Sequence, residues 1–125
     1  MLARLAACAV DPDTSDVFDI VFEMSYDPAD PCTVSLAFSD DVVWHLSRDL
    51  VDDGTRRRTG DGDVCVSPNG SRRVVIGLTS PEGAVLLEVD REPLVAFLGR
   101  TFEAVPRGLE RVDVDTVIEQ ILIGR

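Results

Sequence analysis

The chain has 125 residues, of which 45% are hydrophobic and 28% charged, and its formal net charge at pH 7 is −11. This length fits a single domain with a buried core, so we expect residues 1–125 to form one unit. The negative charge opposes binding to nucleic-acid phosphates and to anionic lipid heads. No apolar run approaches the roughly 20 residues that cross a bilayer. Met1–Val10 carries one Arg and is followed by Asp11, Asp13 and Asp16, which does not fit the basic start, longer apolar stretch and cleavage site of a signal peptide. We therefore expect a cytoplasmic protein that neither inserts into a membrane nor binds nucleic acid.

The first strong pattern is an alternation of residues from Val17 to Met24, whose more apolar side carries Phe18, Ile20, Phe22 and Met24. A period of two with one apolar side predicts a strand that covers a core. The alternation stops at Tyr26–Pro31, where two prolines fix φ and remove hydrogen-bond donors. We interpret this segment as a rigid connector.

Residues 33–54 predict a hairpin followed by a short helix. Thr33–Phe38 and Val42–Leu46 both alternate, and Asp40-Asp41 lies between them as the turn. Ser47 can then cap one or two helical turns. We expect Gly54 to end these turns in a left-handed conformation.

Turn residues divide the next segment into short strands. The turns are predicted at Gly60–Gly62, Asn69–Gly70 and Ser80–Gly83, and the strands at Val64–Val66, Arg73–Thr79 and Ala84–Val89. Asn69–Gly70 predicts a two-residue hairpin loop, because both positions tolerate positive φ. The strand that returns from it should bury Val74, Ile76 and Leu78.

Two amphipathic helices are predicted after these strands. Asp90 can cap the first, and its apolar side carries Leu94, Phe97 and Leu98. Beyond Pro106 and Gly108, a capping-box spacing precedes the second apolar stripe; these residues are Thr116, Val117, Ile118, Glu119, Ile121 and Leu122. Strands followed by helices predict an α+β fold, an antiparallel β-sheet with C-terminal amphipathic helices. Its sheet edges need cover, which oligomerisation can supply.

The polar residues do not match a catalytic, metal-binding or cofactor-binding motif. His45, the one histidine, has no Ser, Cys or carboxylate partner at a recognisable spacing. The acidic pairs lie at predicted turns, where Asp acts as a backbone-like acceptor; they are Asp40/Asp41, Asp52/Asp53 and Asp61/Asp63. We therefore predict no catalytic, metal or cofactor site and no enzymatic activity.

The cysteines and the basic run have ordinary structural interpretations. Cys8, Cys32 and Cys65 lack the spacing of a zinc site or a redox dithiol, and we expect buried, reduced thiols. Arg56–Arg58 is interpreted as solvated surface that Asp52 and Asp53 partly neutralise. Trp44 is expected to pack in the core.

Several rigid motifs occur in a fixed order along the chain. They are Tyr26–Pro31, Trp44, Arg48-Asp49-Leu50 with Gly54, Thr59–Val64, Ser80–Gly83, Phe97-Leu98, Arg100-Thr101 and Val105-Pro106. Together they resemble the SsgA-like (SsgA/SsgB) sporulation and cell-division proteins of actinobacteria, from about Phe22 to the C-terminus. Before Phe22 the match is loose.

The resemblance implies a non-enzymatic scaffold at the division septum, which marks division sites and recruits or organises the tubulin-like GTPase FtsZ during sporulation-specific septation. It also implies a whirly-like architecture, a homotrimer, no cofactor, and FtsZ and other division proteins as partners. The partner-binding residues are unknown at this stage. Two alternatives remain: a whirly-like module that binds single-stranded nucleic acid, which the charge opposes, and a small hydrolase that uses His45 with an acidic pair.

Overall fold

The structure, a computed structural model, describes residues 1–109, with the backbone alone for Asp61. Eight strands and two helices follow one another in this range. They are β1 (Leu2–Val10), β2 (Val17–Ser25), β3 (Thr33–Ser39), β4 (Val42–Ser47), α1 (Arg48–Gly54), β5 (Thr59–Asp61), β6 (Val64–Asn69), β7 (Arg73–Ser80), β8 (Gly83–Asp90) and α2 (Arg91–Ala104). The predicted α+β class is confirmed, and the predicted helix after Thr116 lies outside the described residues.

All eight strands belong to one antiparallel sheet in the order β4-β3-β2-β1-β8-β7-β6-β5. β1 lies near the middle, because it pairs with β2 along its whole length and with β8 from Ala7↔Val89 to Val10↔Leu86. The sequence did not predict this strand. Its alternation is weak because many of its side chains are alanines, which have low β-propensity.

The core lies between one face of the sheet and α2. β1 contributes Leu5, Ala7 and Ala9, and α2 contributes Leu94, Phe97 and Leu98. The predicted burial of Val74, Ile76 and Leu78 is confirmed, as is that of Phe22 and Met24. Trp44 is half-buried against this core.

Phe18 differs from the prediction, because 51% of its surface is exposed. It lies near the start of β2, where the strand has a neighbour on one side only. β3 pairs with β2 no earlier than Glu23, while Phe18 pairs with Ala9 of β1. The apolar side of the strand is therefore covered only where both neighbours flank it.

Helix α1 connects the two ends of the sheet, because it contacts β4 at one end and β5 and β6 at the other. Seven residues span only about 10 Å, so the sheet must curve to bring its ends this close. The predicted cap is confirmed, since Ser47 Oγ accepts a hydrogen bond from the Leu50 N–H at 3.2 Å. The predicted left-handed conformation of Gly54 is wrong, because Gly54 is the last residue of the helix. A Cβ at Gly54 would lie 2.3 Å from Val66 Cβ.

Two predicted turns are shifted in the structure. Gly60 belongs to β5, where a Cβ would approach Cys65 Cα to 2.8 Å, and the turn falls at Gly62, whose φ is 69°. The hairpin at Asn69 is confirmed, but Asn69 pairs with Arg73, so the loop has three residues rather than two. The turn before Gly83 lies where it was predicted, with Ser80 paired to Gly83.

Candidate partner-binding surface

His45 lies on an exposed strand and forms a hydrogen bond that the sequence did not indicate. Its Nδ1 is 2.8 Å from Ser35 Oγ, because the β3–β4 register places these two residues opposite each other. Within the described chain, no carboxylate is hydrogen-bonded to the imidazole. The described residues therefore give no support to the alternative of a small hydrolase that uses His45 with an acidic pair.

The acidic pair Asp52/Asp53 lies in helix α1 and not in a turn, and it holds arginines. Arg56 Nη2 is 3.0 Å from a carboxylate oxygen of each aspartate. Arg107, which follows α2, approaches the same two carboxylates at 2.9 and 3.0 Å. These carboxylates therefore join helix α1 to the segment that follows α2. Residues 1–109 contain no cluster of side chains that could hold a metal ion.

The aspartates of α1 also raise the pKa of Arg56 and Arg107. The hydrogen bond and charge of Asp52, followed by the charge of Asp53, raise the pKa of Arg56 above its ordinary value. Burial lowers the pKa of Arg107, but Asp49, Asp52 and Asp53 together raise it above the ordinary value. Both guanidinium groups stay charged. The predicted neutralisation of Arg56–Arg58 by Asp52 and Asp53 therefore takes the form of an ion-pair network, which Arg107 joins.

Arg48 is the largest buried polar side chain of the described residues, with 1% of its surface exposed. Its Nη1 donates to the carbonyl oxygens of Thr101 at 3.0 Å and Val105 at 2.8 Å. The guanidinium carbon lies 4.1 Å from the ring centre of Phe102 and 5.2 Å from that of Tyr26. The arginine of the predicted Arg48-Asp49-Leu50 motif therefore fixes the C-terminal end of α2 to the start of α1.

The predicted burial of the three thiols is wrong for Cys32, which is exposed, and only partly right for Cys8 and Cys65, which are half-buried. All three are free. Cys32 lies at the end of the proline connector, outside any strand. Cys8 and Cys65 lie on the sheet face that points away from α2, because their strand neighbours Ala9 and Val66 point into the core. We call this face the outer face.

A continuous line of uncharged residues crosses the outer face at right angles to the strands. The strand register places its members side by side in the order Val17, Val10, Leu86, Gly77 and Cys65. We call this line the apolar row. Val17 is 62% exposed and Leu86 is 38% exposed. Exposed apolar surface of this kind, adjoining charged residues, is typical of sites that bind other proteins.

Carboxylates lie beside the apolar row, two residues further along the strands. Cys8 pairs with Asp19 on one side and with Glu88 on the other. Together with Asp90 these residues border a shallow depression of about 180 Å³. Arg73 also borders the depression, with contacts of 3.6 Å to Glu88 and 2.9 Å to Asp90. We call this site the acidic depression, because its three carboxylates outnumber its single guanidinium.

A wider depression of about 1110 Å³ lies at the start of α2. Two of its three arginines already have partners, since Arg73 binds Asp90 and Arg91 donates to the carbonyl of Thr55. Asp90 occupies the predicted N-cap position, but its side chain makes no hydrogen bond to the helix. Among the described residues, the outer face is therefore the stronger candidate for a binding surface.

Comparison with known proteins agrees with the motif order. The family model described as "Streptomyces sporulation and cell division protein, SsgA" matches residues 20–110. The chain belongs to the SsgA family. Sporulation-specific cell division protein SsgB of Frankia casuarinae is 40% identical over 98% of this chain and 91% of its own length. SsgB of Streptomyces coelicolor is 43% identical over 79% of each chain.

Solved structures of the SsgA family share this fold. An SsgB structure, described in connection with longitudinal cell division during sporulation of Streptomyces coelicolor, has a TM-score of 0.75 and 36% identity; the match covers 88% of this chain and 91% of that one. An SsgA-like sporulation-specific cell division protein of Thermobifida fusca has a TM-score of 0.77 and 31% identity, over 96% and 93% of the two chains. The names of these relatives support a role in sporulation septation. Neither helix within residues 1–109 is long and apolar enough to cross a membrane.

Proposed function

We propose that this protein is a non-enzymatic adaptor that marks division sites and recruits or organises FtsZ during sporulation-specific septation. In this proposal residues 1–125 form one domain, which assembles as a homotrimer in the cytoplasm at the septum. The observation that carries the proposal is the match of nearly the whole chain to proteins named for sporulation-specific cell division.

The outer face supports a function through protein contacts. It exposes apolar side chains such as Val17 and Val21, at 62% and 59%, that a globular protein ordinarily covers. The adjoining Asp19 and Glu88 repel polyanions, so this face gives no support to the alternative of nucleic-acid binding. An adaptor needs only surfaces of this kind, because it works by holding partners together.

The proposal is tested in a sporulating actinobacterium that lacks its own SsgB and expresses this protein fused to a fluorescent protein. We expect the fusion to form regularly spaced foci before septa appear, and to restore septation. In vitro, the purified protein should sediment with FtsZ polymers and have the mass of a trimer by native mass spectrometry. Diffuse fluorescence in cells that still septate, together with no sedimentation above the unpolymerised control, would contradict the adaptor function.

A further inference from the structure

The apolar row and the acidic depression lie next to each other on the outer face, and the strand register fixes their relative positions. The row passes through Val10 and Leu86, and two residues further along the same strands are Cys8 and Glu88. Because side chains alternate along a strand, residues two apart point to the same face. A ligand that crosses the sheet along the row therefore lies beside the carboxylates.

Glycine shapes the middle of this surface. Gly77 lies between Leu86 and Cys65 in the apolar row, and a Cβ at Gly77 would lie 3.3 Å from Leu86 Cδ2. The leucine side chain therefore extends over the glycine, which leaves a low, apolar strip. From Val17 to Cys65 the row crosses four inter-strand gaps, about 19 Å at the usual strand spacing.

The charges next to the row select the kind of ligand. Asp19 is exposed, and its carboxylate makes no hydrogen bond or ion pair with another of residues 1–109. Glu88 shares the guanidinium of Arg73 with Asp90, so the depression keeps an excess of negative charge. If the outer faces of two copies packed together, the carboxylates of one copy would lie against those of the other, and like-charge repulsion opposes this arrangement. An anionic lipid surface is opposed for the same reason.

We propose that the outer face binds a segment of another protein in which a lysine or arginine is flanked by apolar side chains. The apolar side chains cover the apolar row, from Val17 to Cys65, and the basic side chain enters the acidic depression between Asp19 and Glu88. This proposal rests on the adaptor function, for which it names the contact surface and the chemistry of the partner. A segment of about 19 Å, such as a helix of about 13 residues, spans the row.

The test places a photo-crosslinker on the outer face in living cells. Val21 is replaced by p-benzoylphenylalanine, since it is 59% exposed on the outer face and pairs with Ala6 at the depression. Val95, 40% exposed on α2, carries the same probe in the control protein. After irradiation during sporulation, mass spectrometry identifies the cross-linked segment.

We expect an adduct at position 21 and not at position 95, formed with a segment that carries a basic residue between apolar ones. Asp19→Arg combined with Glu88→Arg should reduce the yield about tenfold, because it places like charges together. Glu103→Arg, an exposed position on α2, is the matched control and should leave the yield unchanged.

The other possible outcomes test the docking site and the adaptor function separately. No adduct above the control, an adduct with a second copy of this chain, or an acidic partner segment overturns the docking site and leaves the adaptor function standing. A yield that survives the double charge reversal also overturns it. A basic and apolar segment from a protein without a part in division supports the docking site and contradicts the adaptor function.

Discussion

Replacing Arg48 by alanine should destabilise the protein severely, because the side chain joins α1 to the end of α2 inside the core. The change leaves the carbonyls of Thr101 and Val105 without their donor and removes the stacking on Phe102. A hydrogen bond from a charged donor contributes about 1.5–3 kcal/mol, and a desolvated cation–π contact about 2 kcal/mol. Because such contributions overlap, we expect the free energy of unfolding to fall by about 3–5 kcal/mol.

Urea denaturation monitored by circular dichroism measures this loss, which should lower the midpoint by about 2 M. Arg48→Lys should recover part of the stability, since lysine keeps the charge but lacks the planar guanidinium that stacks and reaches two carbonyls. Arg58→Ala is the matched control, because Arg58 is exposed, and it should change stability by less than about 0.5 kcal/mol. If Arg48→Ala lost less than about 1 kcal/mol, the arginine would not be the link described here.

Three further changes around α1, with one control in α2, are tested by the same urea assay. Gly54→Ala should cost about 1–3 kcal/mol by forcing a methyl group onto Val66, whereas Gly99→Ala, with open space around it in α2, should stabilise by about 0.5–1 kcal/mol. Ser47→Ala should cost about 1 kcal/mol through the lost cap. Arg107→Ala should cost at most about 1 kcal/mol, and a loss that persisted in 1 M salt would contradict its assignment as a surface ion pair.

Long alternations predicted their strands well, and weak ones failed for a physical reason. β2 and β7 carry large apolar side chains at every second position, so both strands and most of their buried residues could be predicted. β1 could not, because alanines such as Ala7 and Ala9 fill its inner face. Small side chains suit a central strand that neighbours cover on both sides, but they leave little periodic signal in the sequence.

The contacts of Gly54 and Arg48 depend on residues that are distant in the chain. Gly54 was interpreted as a turn residue because glycine tolerates positive φ, but its actual constraint is the closeness of Val66. Arg48 was placed in a motif without a role, since its acceptors Thr101 and Val105 follow more than fifty residues later. Local patterns do not contain such information.

The outer face was missed for a related reason. Its apolar row takes one residue from each of five strands, so the row exists only once the order and register of the sheet are known. The sequence held part of this information, because Val17 and Val21 lie on the less apolar side of the first alternation, opposite the side predicted to cover the core. An unusually apolar outer side of a strand indicates a surface that meets another molecule.

The central place of β1 has a consequence for how the protein is made. It precedes β8 in the chain and leaves the ribosome before it, yet β8 is one of the two strands that flank β1, and their pairing joins Ala7 to Val89. Until that late strand emerges, the nascent sheet has an open edge in its middle rather than at its margin. Topologies dominated by such distant pairings fold slowly and expose unpaired strands to aggregation. Newly synthesised chains therefore depend on β8 to protect β1.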